Sequence, residues 1–392
     1  MRLALNAANS LPADGCAGTL IGRAWAPGSP PGPAVVALRA DGVYDLGRAA
    51  PTCAALMEAD DPAALARKTT GVRLGSIDEL LANSAADACD PAKAHFLAPI
   101  DLQAIKACGV TFVGSLLERV IEEQAKGDPS RADAIRRTIG REIGADLARV
   151  RPGSAEAERL KAALVQRGLW SQYLEVGIGP YAEVFTKAQP MSAVGTGAEI
   201  GLHPDSTWNN PEPEVVLVVN SRGAVVGATL GNDVNLRDFE GRSALLLGRC
   251  KDNNGSCAIG PFLRLFDASY GLDDLRRCEV GLTVAGDDGF TLADRSSMAE
   301  ISRDPLDLVA HTMGAMHQYP DGLVLFTGTM FAPVQDRDAP GLGFTHKPGD
   351  LVTIAAPELG ALVNRVGRSD RIAPWTLGAG GLMRNLAARG LL

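Results

Sequence analysis

No stretch of this 392-residue sequence stays apolar for the roughly 18 residues that a membrane span requires, so no transmembrane helix is expected. Basic charge is also scarce: 38 Lys and Arg against 46 Asp and Glu leave a formal charge of −8. With no Lys/Arg cluster to offset it, that balance argues against a nucleic-acid or membrane-surface partner, since both require a basic face. The seven cysteines are odd in number, scattered, and form no Cys-x-x-Cys pair. That leaves no basis for a disulfide framework or a zinc site, and reduced, buried thiols are expected. The apolar patch in Met1-Arg-Leu-Ala-Leu-Asn6 is too short for a signal-peptide core, so a cytoplasmic location is expected. Aromatic residues make up only 5%, whereas there are 44 glycines and 24 prolines, a composition that predicts many turns between short strands in preference to a helical bundle.

What the sequence does contain is a concentration of carboxylates, amides and one lysine between Trp208 and Asn254. In an extended chain, side chains two apart share a face, so Glu212 and Glu214 project together from a strand that runs on through Val215 to Val219. Pro213 costs a ladder hydrogen bond and marks an edge or a strand start. Asn220-Ser-Arg-Gly223 predicts a turn, Ala224 to Leu230 the returning strand, and Asp233 sits just past its end. Three carboxylates at neighbouring strand ends form a hard, all-oxygen donor set suited to Mg²⁺, or to Mn²⁺ or Ca²⁺. A Glu-x-Glu pair can equally be two solvated carboxylates, but a charge set against a strand that is about to be buried is expensive unless paired or metal-bound.

Elsewhere, residues 19–48 alternate in the β manner, and 53–68 and 77–84 read as helices. A boundary is expected near residue 100, between a small N-terminal β-rich domain (1–100) and a catalytic domain (101–392). From Leu116 to about Arg167 the pattern is helical, broken at Gly127-Asp-Pro129 and Pro152-Gly153. Short strands and glycine-rich turns follow, with helical segments near Leu236–Leu247 and Asp304–Met316. The fold class is mixed α/β and β-rich.

Phe185-Thr-Lys187, Glu212-Pro-Glu214, Gly231-Asn-Asp233, Arg237-Asp238, Lys251, Gly260-Pro261, Phe326-Thr-Gly-Thr329 and Pro348-Gly-Asp350 occur in an order that resembles the fumarylacetoacetate hydrolase superfamily. The resemblance spans about residues 105–366 and implies that family's mixed β-roll catalytic domain. It implies metal ligands at Glu212, Glu214 and Asp233, an active-site lysine at Lys251, and substrate-facing residues at Lys187, Arg237, Glu240 and Thr329. Within the family, residues 209–266 and 317–338 look like the branch that dehydrates 2-keto-3-deoxypentonates. That branch implies a metal-dependent hydro-lyase, a small-molecule 2-keto-3-deoxy sugar acid as substrate, and 2,5-dioxopentanoate as product. A homo-oligomer, dimer or tetramer, is expected.

One segment departs from the family's hydrolases, which carry a His three residues before a Glu to activate water. Gly109-Val-Thr-Phe-Val-Gly-Ser-Leu-Leu-Glu118 aligns without a gap and has Ser115 at the His position. A serine hydroxyl cannot take a proton from water near neutral pH as imidazole does. Glu118 is kept and, in an apolar lid (about 111–168), is expected to stay protonated and donate to a departing hydroxyl. Ser115-Leu-Leu-Glu118 also reads as a capping box that only starts the next helix. Lys251, desolvated beside the metal, is expected to have a lowered pKa and act as base. A C–C bond hydrolase of 2,4-diketo acids, an oxaloacetate-type decarboxylase or tautomerase, and a non-catalytic metal-binding scaffold stay open as alternatives. Of the histidines, none of which has metal-ligand spacing, His317 is the candidate to approach the site, with a structural role the favoured reading.

Overall fold

The computed structural model of the chain describes residues 3–142 and 150–392, with side chains undescribed from 138 to 142. The helical expectation across 143–149 lies outside the described residues. The rest of that segment forms helices Val113–Ala125, Pro129–Glu142 and Ala155–Gln166. Residues 53–68 form two short helices, Cys53–Met57 and Pro62–Lys68, each started by a side-chain cap from Thr52 or Asp61. No described helix is long and apolar enough to cross a membrane.

The architecture is mixed α/β and rich in sheet, with no closed barrel. Its centre is an eleven-stranded sheet in which Leu20–Ala26, Cys257–Leu265, Val225–Asp233, Pro213–Val219, Leu323–Phe326, Ala104–Gly109 and Glu183–Ala188 follow one another as neighbours. All these pairs are antiparallel except Leu323–Phe326 with Ala104–Gly109. The N-terminal strands belong to this same sheet, since Leu20 pairs with Arg264. The expected boundary near residue 100 falls between His95–Leu97 and Ala104–Gly109, both members of it. A second sheet of five strands includes Glu279–Ala285, Leu351–Ala356 and Gly360–Arg368.

The apolar run after Glu214 explains the layering. Val215, Leu217 and Val219 point into a core shared with Leu282 and Ile354 of the five-stranded sheet. Val216 and Val218, on the opposite face, pack with Leu56 and Met57 of the first helix pair. A strand covered on both faces must be apolar throughout, and each fully buried Val or Leu contributes about 1.5–3 kcal/mol. Pro213 is therefore the first residue of a central strand, not an edge: its missing N–H costs least at the start. The turn at Asn220–Gly223 forms as expected, with Gly223 N–H donating to the Asn220 carbonyl. The returning strand runs three residues further than expected, so Asp233 is its last member.

Helix Val113–Ala125 lies against the mouth of this strand bundle. Val110, a β-branched residue at φ 48°, turns the chain into it; such a backbone costs on the order of 1–3 kcal/mol. Lys126 at φ 55° and Gly127 at φ 73° end it. A Cβ on Gly127 would sit 2.4 Å from the Asp238 carbonyl oxygen, so this glycine lets the helix end touch Arg237–Glu240.

Candidate metal centre and active site

Glu214 faces Gly231 across the ladder between the two central strands, and Asp233 lies two residues beyond Gly231. Glu212, one residue ahead of the strand, accepts no ladder partner for its side chain but is anchored through its N–H to Asn232 Oδ1 at 3.0 Å. This register brings Glu212, Glu214 and Asp233 together, all buried, with one carboxylate oxygen from each within 4.8 Å of the others. The three residues read from the sequence as ligands thus converge as a set able to hold a metal ion.

Cations surround them. Lys251 Nζ lies 2.6 Å from Glu212 Oε2 and 3.0 Å from Asp233 Oδ2. Lys187 Nζ lies 2.9 Å from Asp233 Oδ1. On the far side, Glu214 accepts hydrogen bonds from the Gly328 N–H at 2.7 Å and the Thr329 hydroxyl at 3.3 Å. Gly328 has no alternative residue: its φ is +107°, and a Cβ there would lie 1.9 Å from Thr111 Oγ1. Thr329, expected to face substrate, here donates to the Glu214 carboxylate.

Helix Val113–Ala125 adds residues the sequence reading missed. The Arg119 guanidinium donates to Glu212, to Glu122 at 2.5 Å, and reaches Glu240 at 3.1 Å. Arg237 donates to Glu122 at 2.6 Å and Glu118 at 2.7 Å while stacking 4.5 Å over the Trp208 ring. Arg136 clamps Glu118 from outside at 2.7 and 2.8 Å. Glu183, at the first position of its strand opposite Gly109, folds its carboxyl over that glycine's bare Cα. It accepts no hydrogen bond from any described residue. The helical period supplies the missed signal: Glu118, Arg119 and Glu122 share one face of the helix.

The protonation pattern follows from this geometry. Burial first, then Asp233 and Glu212 alongside, push the Glu214 carboxyl well above the usual carboxylate range. Burial acts the same way on Asp233, yet Lys187 and Lys251 hold it below its ordinary value. Burial and the neighbouring Glu240 raise Glu183 to about 7. Two expectations are corrected here. Burial favours a protonated Glu118, but Arg136 and Arg237 overcome it and hold Glu118 below its ordinary value, as an ionised carboxylate. Burial likewise pushes the Lys251 ammonium down, but Asp233, Glu212 and Glu240 outweigh it and hold Lys251 well above the ordinary lysine value.

Other expectations change as well. Ser115 is not an N-cap: the helix starts two residues earlier after Phe112, without a side-chain cap. Ser115 is buried one turn before Arg119 and makes no hydrogen bond to the carboxylates among the described residues. His317 is exposed and stacked on Tyr319, 4.9 Å away, because its loop faces solvent. Among the described residues no histidine contacts the cluster; the buried His346 is engaged by Asp350 at 3.1 Å.

The charge count tests the fit of a metal. Glu118, Glu122, Glu183, Glu212, Glu214, Asp233 and Glu240 face Arg119, Arg136, Lys187, Arg237 and Lys251, an excess of two carboxylates. With every carboxyl ionised, a divalent cation would offset that excess. The raised Glu214 is what missing positive charge produces, and the all-oxygen donor set suits a hard ion.

The profile of the fumarylacetoacetate (FAA) hydrolase C-terminal family matches residues 172–367. A probable 2-keto-3-deoxyxylonate dehydratase of Haloferax volcanii is 33% identical over 194 residues, 50% of this chain and 63% of the relative. A 2-dehydro-3-deoxy-D-arabinonate dehydratase of Saccharolobus solfataricus is 32% identical over 193 residues, 48% of this chain and 60% of the relative. The chain thus spans less than two thirds of either relative's length. A solved 2-keto-3-deoxy-D-arabinonate dehydratase, complexed with magnesium and 2,5-dioxopentanoate, shares the fold at TM-score 0.57 and 21% identity, with 89% of this chain and 99% of that chain covered.

Proposed function

The chain belongs to the fumarylacetoacetate hydrolase family, and from that premise we propose that it is a divalent-metal-dependent hydro-lyase that converts a 2-keto-3-deoxypentonate to 2,5-dioxopentanoate. The observation that carries the reading is a buried carboxylate triad with a lysine against it, an unpaired carboxyl of pKa about 7 nearby, and no imidazole to activate water. The dehydratase names of the two curated relatives support the same substrate class. The reading extends to a homo-oligomeric, cytoplasmic enzyme of pentose catabolism using Mg²⁺.

Glu212, Glu214 and Asp233 would hold the cation, which would supply positive charge where negative charge develops on the 2-oxo oxygen. Lys251 takes the C3 proton. Asp233 and Glu212 keep its ammonium protonated in this structure, and a cation on those carboxylates would offset their charge and so favour the neutral amine that a base requires. The C4–O bond then breaks, and Glu183, half-protonated near neutrality, gives the proton with which the hydroxyl leaves as water. Elimination leaves a C3=C4 enone carrying the C5 hydroxyl; loss of a C5 proton with return of a proton to C3 gives the C4=C5 enol, whose tautomerisation produces the aldehyde. Glu118, held ionised between two arginines, orders the covering helix, and Arg237, Glu240, Thr329 and Lys187 shape the wall. A hydrolase of 2,4-diketo acids needs an activated water, and Ser115 offers no base for it.

The test is incubation of the purified protein and Mg²⁺ with D- and L-2-keto-3-deoxypentonates, the product being read by a coupled aldehyde dehydrogenase. Aldehyde formation that EDTA abolishes and Mg²⁺ restores is expected. Acid release from acylpyruvates without dehydration would replace the reading by the hydrolase, and intact metal binding with no turnover on either substrate by a scaffold.

A further inference from the structure

One cation in the cluster plays no part in the reaction as drawn. Arg119 lies on helix Val113–Ala125 immediately after Glu118, and its guanidinium donates to Glu212 as well as to Glu122 and Glu240. Lys251 occupies the other oxygen of Glu212 at 2.6 Å. Both oxygens of one expected ligand therefore carry a protein cation. The other ties of this helix, Glu118 to Arg136 and Arg237, Glu122 to Arg237, and Glu123 to Ser171 and Gln172, touch no member of the triad.

Resting on the divalent-metal reading above, we propose that Arg119 is a built-in cation that competes with the metal ion for Glu212. It ties helix Val113–Ala125 to the triad when the ion is absent and yields that one tie when the ion binds. A guanidinium is always charged, so it cannot lose its proton to make room for a second cation. It is buried, so the repulsion is little screened by solvent. Linkage then works both ways: whatever factor the metal takes from the Arg119–Glu212 pair, the pair takes from metal affinity. Glu122 and Glu240 give the guanidinium somewhere to stay, so the exchange costs one contact and not the helix. Arg119 is thus a positioning residue, acting through Glu212, and it couples metal occupancy to the cover over the site.

The probe is Mn²⁺ titrated calorimetrically into the metal-free full chain. Arg119→Gln is expected to bind Mn²⁺ about tenfold more tightly than the parent, in the lower part of the range for coupled sites. Arg119→Lys keeps the charge but cannot fork to three carboxylates, and is expected to fall between. It also carries the test if the glutamine variant fails to fold. Arg136→Gln removes a guanidinium from the same cluster without touching a triad member, and is expected to shift affinity by less than about threefold, as general electrostatics alone would. In EDTA, Arg119→Gln should melt below the parent, and Mn²⁺ should narrow the gap. Equal or weaker Mn²⁺ binding in both Arg119 variants, or an equal gain in Arg136→Gln, overturns the competition while leaving the metal reading intact. Failure of the parent chain to bind Mn²⁺ overturns both.

Discussion

Replacing Lys251 with methionine keeps most of the side-chain volume and removes one ammonium, so its effect should depend on whether metal is present. Without metal, Glu212 and Asp233 lose hydrogen bonds of 2.6 and 3.0 Å in a site closed to water. Breaking a buried ion pair from one side costs about 3–5 kcal/mol. An unfolding entropy of about 2.1 cal/mol/K per residue amounts to roughly 0.8 kcal/mol/K for a chain of this length, so Tm should fall by about 4–6 °C. With saturating Mg²⁺ the two carboxylates have a new partner, and most of that loss should be recovered. Turnover should not recover, because a thioether cannot take a proton: a loss of about 10²–10⁴ is expected. Differential scanning calorimetry in EDTA and in Mg²⁺, with the coupled aldehyde assay alongside, checks all three quantities. An equal Tm loss with and without Mg²⁺ would mean that the ammonium and the ion do not share these carboxylates. Near-normal turnover would remove Lys251 as the base.

Further predictions follow from the other carboxyls and from the loop at Gly328. Glu183 must be protonated to give its proton, so the rate should fall as pH rises through about 7, and Glu183→Gln should both slow turnover by about a hundredfold or more and flatten that alkaline limb in a pH–rate profile. Because its folded pKa is raised, Glu183 also stabilises the metal-free protein at low pH, a contribution lost as pH climbs from the ordinary carboxylate range through about 7. Glu118 has the opposite sign: its depressed pKa makes the Arg136–Glu118–Arg237 tie fully effective above the ordinary glutamate value and lost as pH falls through the depressed one, which limited proteolysis of residues 113–142 across an acid series should register. Gly328→Ala forces a Cβ against Thr111 and strains a backbone at φ +107°; a loss of about 2 kcal/mol or more, with weaker Mg²⁺ binding because the N–H to Glu214 shifts, should appear in denaturant melts and calorimetry.

The convergence of the three carboxylates and the sheet-rich fold class are legible in the sequence from strand geometry, whereas Lys251 enters through the family resemblance. Residues two apart on a strand share a face, and an apolar run with no polar interruption announces a strand buried on both sides, so Glu212 and Glu214 had to lie at the mouth of the core. Local pattern also yields Pro213 as an edge or a strand start, and in outline the helix at 53–68 and the helical segment from Leu116 onward. What a single sequence cannot contain is which distant charges meet. Glu118 is separated from Arg237 by 119 positions and from Arg136 by 18, and only their contact makes it ionised instead of protonated. Arg119 reads as one more helix-surface charge until Glu212, 93 positions away, comes to lie against it. Lys251 reads as a lysine of lowered pKa until Glu212 and Asp233 are found on its ammonium, holding it protonated in the metal-free site. Strand faces are set by covalent geometry and are therefore written locally, whereas a protonation state is a balance of burial against neighbouring charge, and that balance exists only once tertiary packing has chosen the neighbours.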